Sequence, residues 1–270
     1  MPSNGSSTRR RGWKPQKVHD MTETAIGTDA TAARIAATFD PVFALVDGWR
    51  DTLARAFAAS IPNAAALDAL VHDLVAGELA SETRLITGAG FVAAPGFLKD
   101  APWHLAWWLR RASGIERLQT VDDPDADEFR DYTTLEWWRV PAVTGARHLT
   151  GPYVDYLCTD DYTVTVTTPV VIDGTLTGMA GVDVYVARLE QELLPVLQAG
   201  APCTLVNASA RVVSSTVPRT ATGALLRRPG LAEALAPLRL PSWEEFSVRL
   251  PDGPLVVACG DTSLALVVET

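Results

Sequence analysis

Apolar side chains at Ile35, Phe39, Val42, Val46, Trp49, Leu53 and Phe57 recur at steps of four and three along the early part of the chain. That spacing lays them on one stripe of a long amphipathic helix. Asp40 followed by Pro41 has the chemistry of an N-cap with proline at the first helical position, so two consecutive helices also fit the pattern. Ile61–Asn63 interrupts the stripe, and Leu67, Leu70, Val71 and Leu74 define a second helix.

From Leu85 the periodicity shifts from helix to strand. "LITGAGFVAAPGF" and "WHLAWWLRR" read as two strands around a Pro/Gly loop. "VDDPDADEFRD" (121–131) is an acidic loop, and "TTLEWWRVPAVTG" a short helix ending near Pro141. "YTVTVTT" alternates strictly, "VIDGT" supplies an Asp-Gly turn, and "LTGMAGVDVYV" returns as the partner strand. "VARLEQELLPVL" is a linking helix. Beyond Pro202, "CTLVNASARVVSST", "GLAEALAPL", "EFSVRL" and "LVVACGDTSLALVVE" repeat the order of strands, short helix and strands on a smaller scale. Helices followed by antiparallel strands predict an α+β protein with two sheet-containing modules. The expected divisions are a disordered basic tail (1–27), N-terminal helices (28–83), a larger module (84–197) and a smaller one (198–270).

Charge narrows the partners. The 270 residues carry a formal net charge of −9, and the first twenty hold Arg9, Arg10, Arg11, Lys14 and Lys17 against Asp20. The body is therefore more acidic than the total, which disfavours nucleic acid and anionic lipid and tolerates cationic ligands. Cys158, Cys203 and Cys259 are too widely spaced for a metal pattern or a disulfide framework, so buried reduced thiols are expected. No window is apolar enough to span a membrane. No apolar leader segment follows the basic head, and a cytoplasmic location is the expectation.

Alternation on the strand "GVDVYV" assigns Val182, Val184 and Val186 to the core and Gly181, Asp183 and Tyr185 to the other face. A carboxylate within a sheet costs several kcal/mol, roughly, unless it is paired or hydrogen-bonded. Tyr153 and Asp155 precede the hairpin, and Trp137–Trp138 precede them. Carboxylates beside indole and phenol rings are the composition of an amine cage, in which aromatic faces add about 0.5–2 kcal/mol each by cation–π attraction. Plainer readings stand beside this one. A Trp-Trp pair on a short helix commonly buries one ring and leaves the other at an edge. A strand aspartate can be satisfied by an internal arginine or by backbone amides.

The order Trp-Trp, Tyr-x-Asp and a hairpin ending in Gly-Val-Asp resembles the double Cache sensor domains of bacterial chemoreceptors and sensor kinases. The resemblance runs from about Ala30 to the C-terminus and is strongest over Trp137–Leu194. It implies a long N-terminal helix and two PAS-like modules, each a mainly antiparallel sheet with flanking short helices. It further implies ligand contacts at Trp137, Tyr153, Asp155 and Asp183, with Trp138 beside them. Where the family's amino-acid motif carries an arginine for the α-carboxylate, this chain has Leu135. Unless Arg130, Arg139 or Arg147 reaches the site, a cationic amine fits it better than an amino acid. The resemblance also implies flanking membrane helices and an output region, neither of which the sequence shows. Signalling would then pass through an unidentified partner, and the N-terminal helix is a candidate homodimer surface.

His19, His72, His104 and His148 sit in no recognisable catalytic context. Gly88–Gly90 lacks the third glycine and the helix of a dinucleotide fingerprint. A small-molecule binding protein without cofactor, metal or catalytic activity is the main expectation. An amino-acid sensor is the first alternative, and an enzyme using Asp155 and Asp183 as an acid/base pair the second.

Overall fold

A computed structural model describes residues 23–81, 85–154, 162–240 and 242–269. Helix α1 (Glu23–Ala59) runs unbroken through Pro41. It begins ahead of residue 28, where the sequence pattern placed the helical region. An interior proline costs a helix about 3 kcal/mol. Here the apolar stripe continues on both sides of it, with Ile35, Phe39, Phe43, Val46, Trp49 and Leu53 all buried. That burial outweighs the local break, so the alternative of two helices is not realised. The stripe is consumed within the chain, against both sheets. It therefore cannot serve as the seam of a homodimer, and any pairing through α1 must use its solvent-facing side.

Helix α2 (Ala64–Ala80) is capped by the Asn63 side chain on Ala66 N–H. Asp68 ties it to the first sheet, accepting from His104 at 2.8 Å and from Arg117 Nη2 at 3.3 Å. Among the described residues no helix is long and apolar enough to cross a membrane.

Six antiparallel strands make the first sheet. They are β1 (Ile86–Ala93), β2 (Leu105–Arg111), β3 (Gly114–Arg117), β4 (His148–Val154), β5 (Tyr162–Ile172) and β6 (Thr175–Tyr185), in the order β3-β2-β1-β6-β5-β4. Helix α3 (Glu136–Thr144) lies before β4. The "GPYVD" stretch, which reads as a turn in sequence, is mostly strand. Pro152 is tolerated because β4 is the sheet edge and the ladder to β5 shifts register between Thr150 and Tyr153. Helix α4 (Val186–Gln198) leads to a second antiparallel sheet. Its strands are β7 (Cys203–Asn207), β8 (Val212–Ser215), β9 (Ser247–Arg249), β10 (Leu255–Ala258) and β11 (Leu264–Val268), in the order β8-β7-β11-β10-β9. A short helix α5 (Leu231–Ala234) covers its outer face.

The modules are joined by side chains as well as by α1. Asn207 at the end of β7 donates to the Gly151 carbonyl of β4 at 2.7 Å, while its own carbonyl accepts from Ser209 and Arg211 N–H. Arg147 bridges Asp47 of α1 and Asp261 of the second module, and its guanidinium lies 4.2 Å from the Phe43 ring centre. Asp47, Arg147 and Asp261 line an open cleft of about 580 Å³ between the modules. Cys203 and Cys259 are buried free thiols, pushed up in pKa by that burial. Cys158 lies outside the described residues.

Candidate functional site

Strand alternation divides the first sheet into two unlike faces. Ala89, Phe91, Val164, Val166, Val182 and Val184 join the core beneath α1. The residues between them turn to the opposite face. Cross-strand register sets these in rows. Leu109, Gly88, Asp183, Thr165 and Thr150 form one row, and Trp107, Gly90, Gly181 and Thr167 the next. Around them a second apolar cluster gathers Trp107, Leu109, Tyr132, Trp137, Trp138 and Met179, with Tyr153 and Leu135 packed against it.

Asp183 is only 4% exposed. Thr165 Oγ1 donates to its Oδ1 at 2.6 Å, and the Tyr153 hydroxyl lies 2.7 Å from the same threonine oxygen. An ionised carboxylate only accepts, so the single Thr165 proton is committed to Asp183 and Tyr153 must donate to Thr165. The Tyr153 oxygen therefore offers lone pairs rather than its proton to anything else that approaches. Such a chain of hydroxyls polarises towards the carboxylate and stabilises its charge. Thr87 adds a bond to the Asp183 main-chain carbonyl at 3.1 Å.

Trp107 lies flat in this floor because Gly90 has no side chain. A Cβ there would sit 2.9 Å from Trp107 Cε3 and closer still to the neighbouring backbone. Gly88 is constrained in the same way. Its Cβ would meet Asp183 Oδ2 at 2.9 Å, and Leu109 Cδ2 and Trp107 Nε1 at 3.0 Å each.

Helix α3 brings in the paired tryptophans. Pro141 stays inside the helix rather than ending it, correcting the boundary expected from sequence. Having no N–H, Pro141 cannot bond the Trp137 carbonyl one turn earlier. That carbonyl instead accepts from Thr167 Oγ1 of β5 at 2.6 Å, which anchors α3 to the sheet. Both rings are buried, with Trp137 7% and Trp138 5% exposed, so neither is left at an edge. Tyr132 stacks on Trp137 with ring centres 6.3 Å apart, and Trp138 meets Trp137 edge-on. The Tyr132 hydroxyl donates to the Ala93 carbonyl at 2.7 Å, and burial pushes its pKa up. At the first turn of α3, Glu136 faces His148 at 3.1 Å. The hydrogen bond from His148 holds the Glu136 carboxyl below its usual range.

The structure thus brings Trp137, Trp138, Tyr153 and Asp183 to one face. Asp155 lies outside the described residues. Trp107, Tyr132 and Thr165 were not singled out from sequence. The alternating threonines of "YTVTVTT" carried a signal for Thr165, whereas Trp107 depends on which strands neighbour β2. Among the described residues no group of three or more His, Cys, Asp or Glu side chains could hold a metal ion.

Residues 85–191 match the sequence profile of the methyl-accepting chemotaxis protein-like, first PDC sensor domain. A solved structure of methyl-accepting chemotaxis protein X superimposes with a TM-score of 0.60 at 17% identity, covering 92% of this chain and 96% of that one. The fold is a two-module, PAS-like Cache fold.

Other Cache structures align over similar lengths. The ligand-binding domain of the Pseudomonas aeruginosa PAO1 amino acid chemoreceptor PctC, in complex with GABA, has a TM-score of 0.51 at 17% identity, covering 90% and 96% of the two chains. That of the Pseudomonas fluorescens chemoreceptor CtaA, in complex with L-alanine, has a TM-score of 0.52 at 19% identity, covering 89% and 93%. The comparison with curated proteins returned no match.

Within this Cache fold, Leu135 packs its side chain into the apolar cluster. Two of the three arginines near it in sequence, Arg147 and Arg130, are held by other partners. Arg147 is held by Asp47 and Asp261 in the inter-module cleft. Arg130 is exposed and donates to the Asp127 and Phe129 carbonyls, and Arg139 is exposed.

Proposed function

We propose that the chain is a small-molecule sensor whose first module binds a cationic amine, with Asp183 as the carboxylate that receives the ammonium. One observation carries this reading. A carboxylate 4% exposed stands in an aromatic-lined sheet face, where Thr165 donates to it and Tyr153 donates to Thr165. A buried carboxylate of this kind gains most from a charge-assisted bond to a cation. Trp137 and Tyr153 supply ring faces beside it, Trp138 backs Trp137, and Asp155 adds a second acidic group by the family's pattern. Leu135 offers no positive charge to a ligand carboxylate, which favours amines over amino acids. The reading assigns no catalytic step to these residues. Output would pass to a partner protein.

A second reading, an amino-acid sensor, is favoured by the GABA and L-alanine named for two proteins of the same fold. Both ligands carry a primary ammonium, so the two readings share Asp183 and differ over the carboxylate. Thermal-shift titration against primary amines, quaternary ammonium compounds and amino acids separates them. The amine reading expects Tm to rise with amines and expects Leu135→Arg to move the preference towards amino acids. A rise with amino acids alone, or an unchanged ligand profile in Leu135→Arg, would overturn it.

A further inference from the structure

The indole nitrogen of Trp107 is buried and has no hydrogen-bond partner among the described residues, although the residue is only 5% exposed. Leaving a buried N–H unpaired is costly, and indole N–H groups in protein interiors nearly always find an acceptor. Its position is informative. Trp107 Nε1 and Asp183 Oδ2 both lie about 3 Å from one point, the empty side-chain position of Gly88. A neutral donor and a carboxylate oxygen thus flank that point, with Leu109 Cδ2 as its third neighbour at 3.0 Å. Only a residue without a side chain at position 88 lets both groups come this near, and the Trp107 ring is packed against Gly90.

Resting on the amine reading above, we infer that Trp107 Nε1 is a ligand contact. We infer further that the ligand is a primary amine carrying a neutral oxygen acceptor beside its nitrogen. The ammonium bonds Asp183, and the oxygen, a hydroxyl, ether or carbonyl on a neighbouring carbon, accepts from Trp107. A carboxylate suits this second position poorly. Trp107 offers one uncharged donor, and a ligand carboxylate would stand against Asp183 with Leu135 where a balancing arginine could be. The pair thereby selects amino alcohols and their relatives over plain alkylamines, a distinction Asp183 alone cannot make.

The test compares two amines of nearly equal size, ethanolamine and n-propylamine, by calorimetric titration of the wild-type chain and Trp107→Phe. The wild type is expected to favour ethanolamine about tenfold, the value of one well-made hydrogen bond. Trp107→Phe should lose that preference while still binding n-propylamine, which shows that the site is intact. Should Trp107→Phe fail to fold, replacing Trp107 by benzothienylalanine removes the N–H and keeps the ring shape. Equal affinities in the wild type, as expected if a fixed water serves the indole, would overturn the inference and leave the amine reading standing. So would a preference that survives loss of the N–H. Binding of neither amine contradicts the amine reading itself and removes this inference with it.

Discussion

Thr165 stands directly opposite Asp183 in the β5–β6 ladder and donates to its carboxylate at 2.6 Å. Because Tyr153 must in turn donate to Thr165, one hydroxyl organises both polar groups of the site. Thr165→Val keeps the shape and removes the link, taking one donor from the buried carboxylate and one acceptor from the phenol. A loss of about 1–3 kcal/mol in urea unfolding is expected, with weaker ligand binding. Unfolding at the wild-type midpoint would show that the chain of hydroxyls contributes nothing to the fold.

The Trp137 carbonyl depends on Thr167 because Pro141 cannot serve it. Thr167→Val should therefore cost about 1–2 kcal/mol in the wild type and distinctly less in a Pro141→Ala background, where the restored N–H can take the carbonyl. A double-mutant cycle by urea denaturation measures the difference. Additive effects would mean that the two sites are independent and that the proline does not direct α3 onto β5.

The Glu136–His148 pair fastens α3 to β4 and gives stability a defined pH dependence. The Glu136 carboxyl is depressed in the fold, first by the His148 hydrogen bond and then by the charges of His148, Arg139 and Arg211, against the opposing effect of burial. A depressed acid contributes stability above its unfolded pKa and loses it as pH falls through the folded value. The gap in urea midpoint between wild type and Glu136→Gln should accordingly shrink as pH is lowered from about 6 to about 3. A gap that stays constant over that range would mean that the carboxylate is not stabilised in the fold.

The parts of this architecture legible in the residues were those governed by local period. The stripe Ile35–Phe57 gave the first helix, and the alternation in "YTVTVTT" and "GVDVYV" gave the hairpin, with Asp183 correctly turned from its valine neighbours. What escaped depends on long-range pairing. Trp107 reaches the site only because β2 lies beside β1 and β1 beside β6, an order that no local pattern states. Two prolines misled for a related reason. Pro152 sits in a strand because that strand is an edge, and Pro141 in a helix because a threonine from another element serves the orphaned carbonyl. Arg147 lies close in sequence to the site residues, yet its partners, Asp47 and Asp261, come from distant parts of the chain.

The most direct measurement is the affinity of the best-binding amine for wild type and Asp183→Asn, by isothermal titration calorimetry in low salt. Asparagine preserves the size of the side chain and the acceptor for Thr165 while removing the charge. The account predicts at least about a tenfold loss of affinity with little change in unfolding midpoint. Equal affinity in the two proteins would contradict it.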